Sequence, residues 1–169
     1  MNQRPTFKYH PNYYRLSDPA PEKSVCQCCG REVDVYENGL YSDEDVECVC
    51  LDCVANGAAA KKFNGEFNSV DPDEQPNDPA RTDEILHRTP SFDSWQDYSW
   101  PTCCDDYCAF LGHYADEPVK KLRISDDAYE ACDGDSLSAD DLAYVKETGD
   151  GLVFQCLHCR KFYLIPDYD

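Results

Sequence analysis

Short apolar runs separated by turn residues make up the hydrophobic pattern of this chain. Apolar residues fill 152–154 and 162–165, on either side of a close cysteine pair, and predict a strand, knuckle, strand unit. Residues 33–36 and the segment around Tyr41 flank Asn38-Gly39, a dipeptide whose left-handed dihedral angles suit a tight turn. We therefore expect two short β-hairpins.

Helical spacing is confined to short segments. Residues 54–67, with three consecutive alanines, favour a short helix despite Gly57. Ser138 is a predicted N-cap because apolar residues follow it at helical spacing, and Ser125 is a second predicted cap. Residues 83–87 predict one helical turn that ends near a proline. The pattern indicates an α+β fold built from short hairpins and short helices.

A proline-rich acidic stretch divides the chain. Residues 69–82 contain three prolines among Asp and Asn, a composition that is typical of an irregular linker. We therefore predict an N-terminal half at 1–68, an acidic linker at 69–82 and a C-terminal half at 83–169. The length of 169 residues fits one compact domain or two small halves that share a core.

Twelve cysteines are the most specific chemical feature, and eight of them form four close pairs. Two such pairs can surround one tetrahedral ion, with each sulfur at about 2.3 Å from the metal. In a small zinc-ribbon-like fold, the two predicted sites are Cys26/Cys29/Cys50/Cys53 and Cys104/Cys108/Cys156/Cys159. The second site is less regular because its first pair is spaced Cys-x3-Cys. We expect two zinc ions, with an iron–sulfur cluster as the alternative use of the same thiolates.

The N-terminal residues argue against a secreted disulfide framework, the main competing use of so many cysteines. Residues 1–21 carry three basic residues and four prolines, and they lack the apolar core of a signal peptide. No apolar run approaches the roughly 18 residues that span a bilayer. We therefore expect a cytoplasmic protein, away from the membrane, whose reduced thiols remain available to metal.

Negative charge is the second strong feature. Thirty-four acids against 15 bases give a net charge of −19, and two filled four-thiolate sites would take it to about −23. The acids concentrate in 32–52 and 126–150. Such a surface repels nucleic acid, because nucleic-acid binding depends on Lys and Arg. A basic protein partner is the better electrostatic match, and plain solubility is the alternative explanation.

A histidine–arginine pair, His87 and Arg88, is the best candidate for catalysis, as a general base beside an anion-binding group. In the alternative, Arg88 pairs with one of the many carboxylates. The aromatic segment 92–100, which includes Tyr98, would form either core or a binding surface. Four thiolates leave no open coordination position for a hydrolytic metal, so the sequence favours a protein that is not an enzyme.

Four cysteines lie outside the predicted sites: Cys28, Cys48, Cys103 and Cys132. We expect Cys28 and Cys48 to be buried and inert, as free cysteines commonly are, although they could substitute at the first site. The sequence leaves the roles of Cys103 and Cys132 open. His158 lies between two predicted ligands and is expected on the surface of its knuckle rather than as a fifth ligand.

Several stretches of the chain resemble the CbrC family of bacterial proteins. They are PTFKYHP at 5–11, CLDCVANGAAAKKFNGEF at 50–67, ILHRTP at 85–90, residues 100–110 and FQCLHC at 154–159. The resemblance implies a small cytoplasmic protein associated with tolerance to a nuclease-type colicin, and it carries over both cysteine quartets. Cys103 and Arg160 depart from the expected pattern, so either Cys103 or Cys104 could be the ligand.

These features predict a zinc-stabilised acidic protein that binds a basic partner, with a nuclease toxin as a candidate and toxin tolerance as the outcome. An enzyme that uses His87 and Arg88, or a purely structural adaptor, is the alternative. The sequence leaves the identity of the partner and the oligomeric state open.

Overall fold

The computed structural model describes residues 4–17, 22–97, 99–132 and 137–169, which form a mixed helix and strand fold with short hairpins. The helices are α1 (Tyr13–Leu16), α2 (Leu51–Ala55), α3 (Ala58–Phe63), α4 (Pro79–Arg88), α5 (Glu117–Lys120) and α6 (Ala139–Thr148). The strands are β1 (Ser24–Val25), β2 (Glu32–Val33), β3 (Tyr36–Glu37), β4 (Val49–Cys50), β5 (Thr102–Cys103), β6 (Asp106–Tyr107), β7 (Ala109–His113), β8 (Tyr129–Glu130), β9 (Gly151–Gln155) and β10 (Phe162–Pro166).

A four-stranded sheet in the order β7-β9-β10-β8 lies at the centre of the C-terminal half. Strand β9 pairs antiparallel with both β7 and β10, whereas β8 runs parallel to β10. Because β9 and β10 flank Cys156 and Cys159, the predicted strand, knuckle, strand unit is confirmed. Among the described residues, three two-stranded ribbons lie outside this sheet: β1-β2, β3-β4 and β5-β6.

The central sheet is buried on both faces. Successive side chains of a strand point to opposite sides, so neighbouring residues of β9 enter different clusters. Phe154 packs on one side in a cluster with Ile85 of α4, and Val153 packs on the other in a cluster with Val145 of α6. All four side chains are completely buried. A third cluster, in the N-terminal half, surrounds the first group of cysteines and includes Phe67.

Helix α6 begins where the sequence predicts. The Ser138 hydroxyl accepts a hydrogen bond from the backbone N–H of Asp141 at 3.0 Å, which confirms the predicted N-cap. Ser125 precedes a single turn of 3₁₀ helix at Asp126–Ala128, but its side chain makes no capping bond. The prediction that the Ser125 side chain caps a helix is therefore wrong, although a helical turn does start after Ser125.

Two helical predictions differ from the structure. The predicted helix over 54–67 is divided into α2 and α3 by Gly57, whose φ of +73° is left-handed and ends the first helix. Helix α4 starts earlier than predicted, inside the segment expected to be a linker. Pro79 occupies its first turn, and the Asp78 carboxylate accepts from the N–H of Ala80 at 3.0 Å. The proline and the capping aspartate therefore both favour a helix start at this point.

The hairpin predicted around Asn38-Gly39 is wrong. Strand β3 pairs with β4, and Tyr41 forms an isolated bridge with Glu66 instead of returning along 33–36. Neither Asn38 nor Gly39 has a left-handed φ. Glycine is needed here for close approach, because a Cβ at Gly39 would lie 2.1 Å from the Ser91 hydroxyl oxygen.

The N-terminal segment joins the two halves of the chain. Phe7 packs in the cluster around the first cysteine group, whereas Tyr9 is buried among C-terminal side chains. The backbone N–H of Phe110 donates to the Tyr9 carbonyl at 2.8 Å, which fixes this segment beside β7. The division at 1–68, 69–82 and 83–169 stays a prediction, but the two halves are connected through these contacts.

A buried carboxylate anchors the same segment. Asp106 is 2% exposed and accepts hydrogen bonds from the Tyr9 hydroxyl at 2.7 Å and from Lys8 Nζ at 3.0 Å. Nε2 of His158 lies 2.9 Å from Oδ2 of Asp106, the same oxygen that accepts from Lys8. Burial alone would raise the pKa of Asp106, but the bonds from Tyr9, His158 and Lys8 outweigh it and lower the pKa to about 2.

No helix in the described parts of the chain is long and apolar enough to cross a membrane.

Replacing Asp106 by alanine should destabilise the protein strongly, because Lys8 and the Tyr9 hydroxyl both lose their partner. We expect the free energy of unfolding to fall by about 3 kcal/mol, or roughly 10 °C in melting temperature. Asp127→Ala is the matched control, since Asp127 is exposed, and should change stability by less than about 0.5 kcal/mol. Equal melting temperatures for the two variants would show that Asp106 does not anchor the segment.

Candidate metal centres

The first group of cysteines is assembled from two local structures. Cys26 and Cys29 lie in the turn between β1 and β2, where the Cys26 N–H donates to the Arg31 carbonyl at 2.8 Å. Gly30 has a φ of +78°, the left-handed conformation that lets the chain turn back. Cys50 ends β4 and is the N-cap of α2, so one helical turn carries Cys53 towards the same point.

The four sulfur atoms are close enough to share one ion. Those of Cys26, Cys29, Cys50 and Cys53 all lie within 4.8 Å of one another, and the Cys29 and Cys50 sulfurs are 3.6 Å apart. A tetrahedral ion bonded at about 2.3 Å separates its sulfur ligands by about 3.8 Å. This group can therefore hold a metal ion, as all four cysteines of the first predicted site come together.

Arg31 supports negative charge on the first group. Its Nε donates to the Cys29 sulfur at 3.3 Å and its terminal nitrogen donates to the Cys50 sulfur at 3.2 Å. The bond from Arg31 lowers the pKa of Cys29 to about 6. Arg31 also pairs with Asp52 at 2.8 Å, which holds the guanidinium in place. A thiolate is the form that binds metal, so Arg31 favours ligation.

The second group differs from the predicted one in a single residue. Its members, all within 4.8 Å of one another, are Cys103, Cys104, Cys156 and Cys159. The sulfur of Cys103 lies 3.5 Å from that of Cys104 and 3.7 Å from that of Cys159, again close to the spacing of a tetrahedral site. Both adjacent cysteines therefore belong to the group, and Cys108 lies outside it.

Backbone geometry explains why Cys103 takes the place predicted for Cys108. The chain reverses between β5 and β6 through left-handed residues Cys104 and Asp105, with φ of 55° and 57°. This tight turn brings both cysteines to its tip. Cys108 lies beyond the ribbon, is completely buried, and its carbonyl accepts from the Trp100 indole at 2.7 Å. Its side chain is part of the hydrophobic core.

The second knuckle repeats the geometry of the first. The Cys156 N–H donates to the Lys161 carbonyl at 2.9 Å, as Cys26 does to Arg31, and Arg160 occupies the left-handed position with a φ of 67°. Burial would raise the pKa of Cys156. The N–H groups of Cys159 and His158 donate to its sulfur at 3.4 Å and bring the pKa down to about 6.

His158 lies on the exposed surface of this knuckle, as predicted, and its Nε2 contacts Asp106. The knuckle is therefore linked through Asp106 to Lys8 and Tyr9 of the N-terminal segment. This connection is absent from any spacing pattern, since Asp106 and Tyr9 are 97 positions apart. The available sequence signal for this connection was that Asp106 follows the Cys103-Cys104 pair by two residues. Asp106 is one acid among 34.

The remaining cysteines occupy different environments. Cys48 is buried and Cys28 is half-buried against the first cluster, in agreement with the expected role of small hydrophobic residues. Cys132 is exposed. None of these three belongs to a metal-capable group among the residues that the structure describes.

The predicted catalytic pair and the aromatic segment are also placed. Asp83 contacts both His87 Nδ1 and the Arg88 guanidinium at 2.9 Å, so the expected alternative of carboxylate pairing is the one found. Phe92 stacks on Phe110 with ring centroids 4.1 Å apart. The other aromatic residues of 92–100 divide between core and surface: Trp100 is buried, Trp95 is 69% exposed, and Tyr98 lies outside the described residues.

Single substitutions should separate Cys103 from Cys108 as ligands. We expect Cys103→Ser to lose about one metal ion per chain, because it removes one of the four converging sulfurs. Cys108→Ser should keep the metal content of the unmodified protein even if burial of a hydroxyl lowers its stability. Elemental analysis after purification without chelator measures both, with Cys132→Ser as the surface control. Loss of metal from Cys108→Ser but not from Cys103→Ser would contradict the assignment.

Comparison with known proteins identifies relatives along nearly the whole chain. The family model described as an uncharacterised protein family, UPF0167, matches residues 4–168. The chain is 30% identical to the UPF0167 protein PA1536 of Pseudomonas aeruginosa, with 97% of each chain covered. It is 36% identical to the UPF0167 proteins Mb2317 of Mycobacterium bovis and MT2352 of Mycobacterium tuberculosis, with 75% of this chain and 68% of each relative covered. No solved structure matches the chain.

These matches correct the family assignment made from sequence stretches. The expected membership of the CbrC family is wrong, because the matching family model and the named relatives are those of UPF0167. Colicin tolerance was expected only because of the resemblance to the CbrC family, and no other observation supports it. With a family model that covers residues 4–168, the chain belongs to the uncharacterised protein family UPF0167.

Proposed function

We propose that this protein is a zinc-stabilised acidic module that binds a basic protein. The observation that carries the proposal is an exposed acidic loop, at 43–47, attached directly to the first cysteine group. Zinc would fix the scaffold, and the loop would present negative charge to the partner. In this proposal both four-cysteine groups are zinc-ribbon-like structural centres rather than catalytic ones.

The donor set supports zinc at both centres. Four sulfur ligands in two knuckles, at spacings that suit a tetrahedron, match the preference of Zn²⁺ for tetrahedral thiolate sites. Four protein ligands fill the coordination sphere and leave no position for a substrate or a water. Zinc would therefore contribute folding free energy, and the ligand residues would hold their hairpins together. A reducing compartment such as the cytoplasm, the proposed location, keeps these thiols available.

The acidic loop is built on the first knuckle. The Gln27 side chain accepts from the N–H groups of Glu47 and Cys48 at 2.7 and 2.9 Å and donates to the Asp45 carbonyl at 3.2 Å. Asp43, Glu44 and Asp45 are exposed, and none of them forms an ion pair with a described residue. Unpaired surface charge held on a rigid turn is suited to attracting an oppositely charged partner.

The overall charge makes a basic protein the best electrostatic match. A net charge of −19 repels nucleic acid, and it accelerates association with a basic protein through long-range attraction. The second acidic stretch, 126–150, extends the same field, although Asp133 and Asp135 lie outside the described residues. Direct binding to DNA or RNA is therefore not part of the proposal.

Exposed aromatic side chains are the candidates for specificity. Trp95 is 69% exposed and Tyr41, which precedes the acidic loop, is 70% exposed. Large aromatic side chains dominate binding energy at interfaces, whereas exposed charges mainly change association rates. Trp100 is buried, and Phe92 is half-buried against the same cluster, so neither is exposed as Trp95 is. The anchoring role first expected of the segment 92–100 is thus proposed for Trp95 alone within it.

The enzyme alternative has weaker support. Both members of the candidate pair, His87 and Arg88, are held by Asp83, and Nε2 of His87 lies 3.9 Å from Glu66. A general base would need a ring nitrogen free to accept a proton from the substrate, and an anion-binding arginine would need N–H groups directed towards it. A structural adaptor differs from our proposal only in the chemistry of its partner.

Zinc should account for the metal content of the protein. Elemental analysis is expected to give two zinc ions per chain, and a strong chelator should lower the melting temperature because the ligands hold separate hairpins together. Excess zinc should restore it. An iron-type chromophore, or fewer than one zinc per chain, would contradict zinc as the resident metal.

Neutralising the acidic loop should slow association with a basic partner. We expect Asp43→Asn/Glu44→Gln/Asp45→Asn to reduce the on-rate of a lysine- and arginine-rich peptide several-fold at low salt, and the difference should vanish at high salt. The matched control, Asp71→Asn/Asp73→Asn/Glu74→Gln, changes charge equally in another part of the chain. If both triple variants slow association equally, net charge rather than the loop is responsible. If neither does, the electrostatic proposal fails.

A further inference from the structure

A cavity of about 350 Å³ lies where four parts of the chain meet. Its walls come from α1, from the end of β3, from the segment after α4 and from β7. The lining side chains include Tyr13, Glu37, Ser91, Phe92, Phe110 and His113. At the roughly 30 Å³ that a water occupies in the liquid, the volume suits a molecule of about ten non-hydrogen atoms. Ligand sites are commonly of this size.

A buried carboxylate lies in the cavity wall. Glu37 is only 3% exposed, and its Oε1 accepts from Gly39 N–H at 2.7 Å, Ser91 hydroxyl at 2.8 Å and Asn38 N–H at 3.1 Å. These three donors fix the side chain. They also explain Gly39, because a Cβ there would lie 2.9 Å from the same carboxylate oxygen and closer still to Ser91.

Glu37 has no counter-charge within the described parts of the chain. Every ion pair found there involves another acid. Burial raises the pKa of Glu37, while the bonds from Gly39, Ser91 and Asn38 oppose that increase. Acids are seldom fully buried unless a cation or metal pairs with them, and Glu37 has three hydrogen-bond donors but no cation among the described residues.

The described residues in the rest of the wall carry no positive charge that would favour an anion over a cation. No Lys or Arg is present among the described residues that line the cavity. His10 is buried, and burial lowers its pKa to about 3, so its imidazole is neutral at physiological pH. His113 directs Nε2 to the Asp93 carbonyl at 2.9 Å and Nδ1 towards Asp116. Asp93 adds a second acid to the wall.

Aromatic rings supply the apolar part of the wall. Phe92 stacks on Phe110, and the His10 ring packs edge-to-face against both Phe110 and Tyr13, at 5.1 and 5.2 Å between centroids. Rings around a carboxylate form the surroundings that suit an organic cation, since their faces are negative and their area is apolar. Ca²⁺ takes about 6–8 oxygen ligands, more than the carboxylate oxygens of Glu37 and Asp93 together supply.

We infer that this cavity binds an organic cation, an ammonium or guanidinium group carried on a small apolar or aromatic body, with Glu37 as its counter-ion. The cation would replace the missing partner of Glu37, and Tyr13, Phe92 and Phe110 would contact the body. The group could belong to a free amine or to a Lys or Arg side chain of a basic protein. This site is separate from the acidic loop and from both metal centres, so it does not depend on the proposed function.

A charged and an uncharged probe of the same shape test the inference on the full-length, metal-loaded protein. Tyramine has the aromatic body and the ammonium group, and 4-ethylphenol has the body alone. We expect calorimetry to show binding of tyramine at least about tenfold tighter than that of 4-ethylphenol. Equal affinity for the two, or binding of neither tyramine nor the peptide described below, would overturn the inference.

Variants locate the charge that binds tyramine. Glu37→Gln keeps an oxygen acceptor for the three donors but removes the charge, and should weaken tyramine at least about tenfold. Glu32→Gln is the matched control, because it removes one exposed acid outside the cavity and should leave the affinity unchanged. Should Glu37→Gln fail to fold, amide chemical shifts of the unmodified protein decide. Tyramine should perturb Gly39 and Ser91, and shifts confined to other regions would refute the site.

A short blocked peptide with one central arginine distinguishes the two sources of the cation. Binding of the peptide that is lost in Glu37→Gln, without binding of tyramine, assigns the site to a protein side chain. Binding of tyramine without the peptide assigns it to a free amine. Either result supports recognition of a cation, whereas peptide binding that survives Glu37→Gln contradicts it. The outcome is independent of the acidic-loop variants, so each proposal can fail alone.

Discussion

The convergence of four sulfur atoms at each of two points is the constraint on which this structure depends. At the first point a β-turn meets the start of a helix, and at the second the β5-β6 turn meets the β9-β10 knuckle. Each meeting joins segments more than 20 residues apart in the sequence. The ribbons are only two residues long on each side, too short for stable pairing alone. A metal held by both segments would supply what their hydrogen bonds lack.

Metal binding would make this negatively charged protein more negative, because four thiolates carry more charge than one zinc ion neutralises. Zinc at both centres would leave a charge of −2 on each, so a chain of −19 would become about −23. Arg31, bonded to two sulfurs of the first group, compensates part of this charge locally. The acidic loop at 43–47 has no such compensation among the described residues. Charge thus accumulates on the side of the first centre that faces solvent, where a basic partner would meet it.

Two buried carboxylates, Asp106 and Glu37, have different partners in this fold. Asp106 is paired with Lys8 and bonded to Tyr9, so it stabilises the contact between the N-terminal segment and the second knuckle. Glu37 is equally buried and has hydrogen bonds, but it has no cation partner in the part of the chain that the structure describes. The first is a completed structural interaction. The second lies beside a cavity with room for a cation, which is the physical difference between an anchor and a candidate binding site.

The sequence alone determined the features that depend on local spacing. Cys-x2-Cys pairs predicted the sulfur groups, apolar runs around Cys156 predicted β9 and β10, and Ser138 predicted its helix cap, because knuckles, strands and caps each involve residues close in sequence. Only the tertiary structure decided the rest. Cys103 replaces Cys108 because a left-handed turn at Cys104 sets the direction of two side chains. Gly39 serves a contact with Ser91, 52 positions away, instead of a hairpin turn. Burial of Glu37 and Asp106 likewise depends on distant segments, and no local pattern encodes which acid among 34 is enclosed.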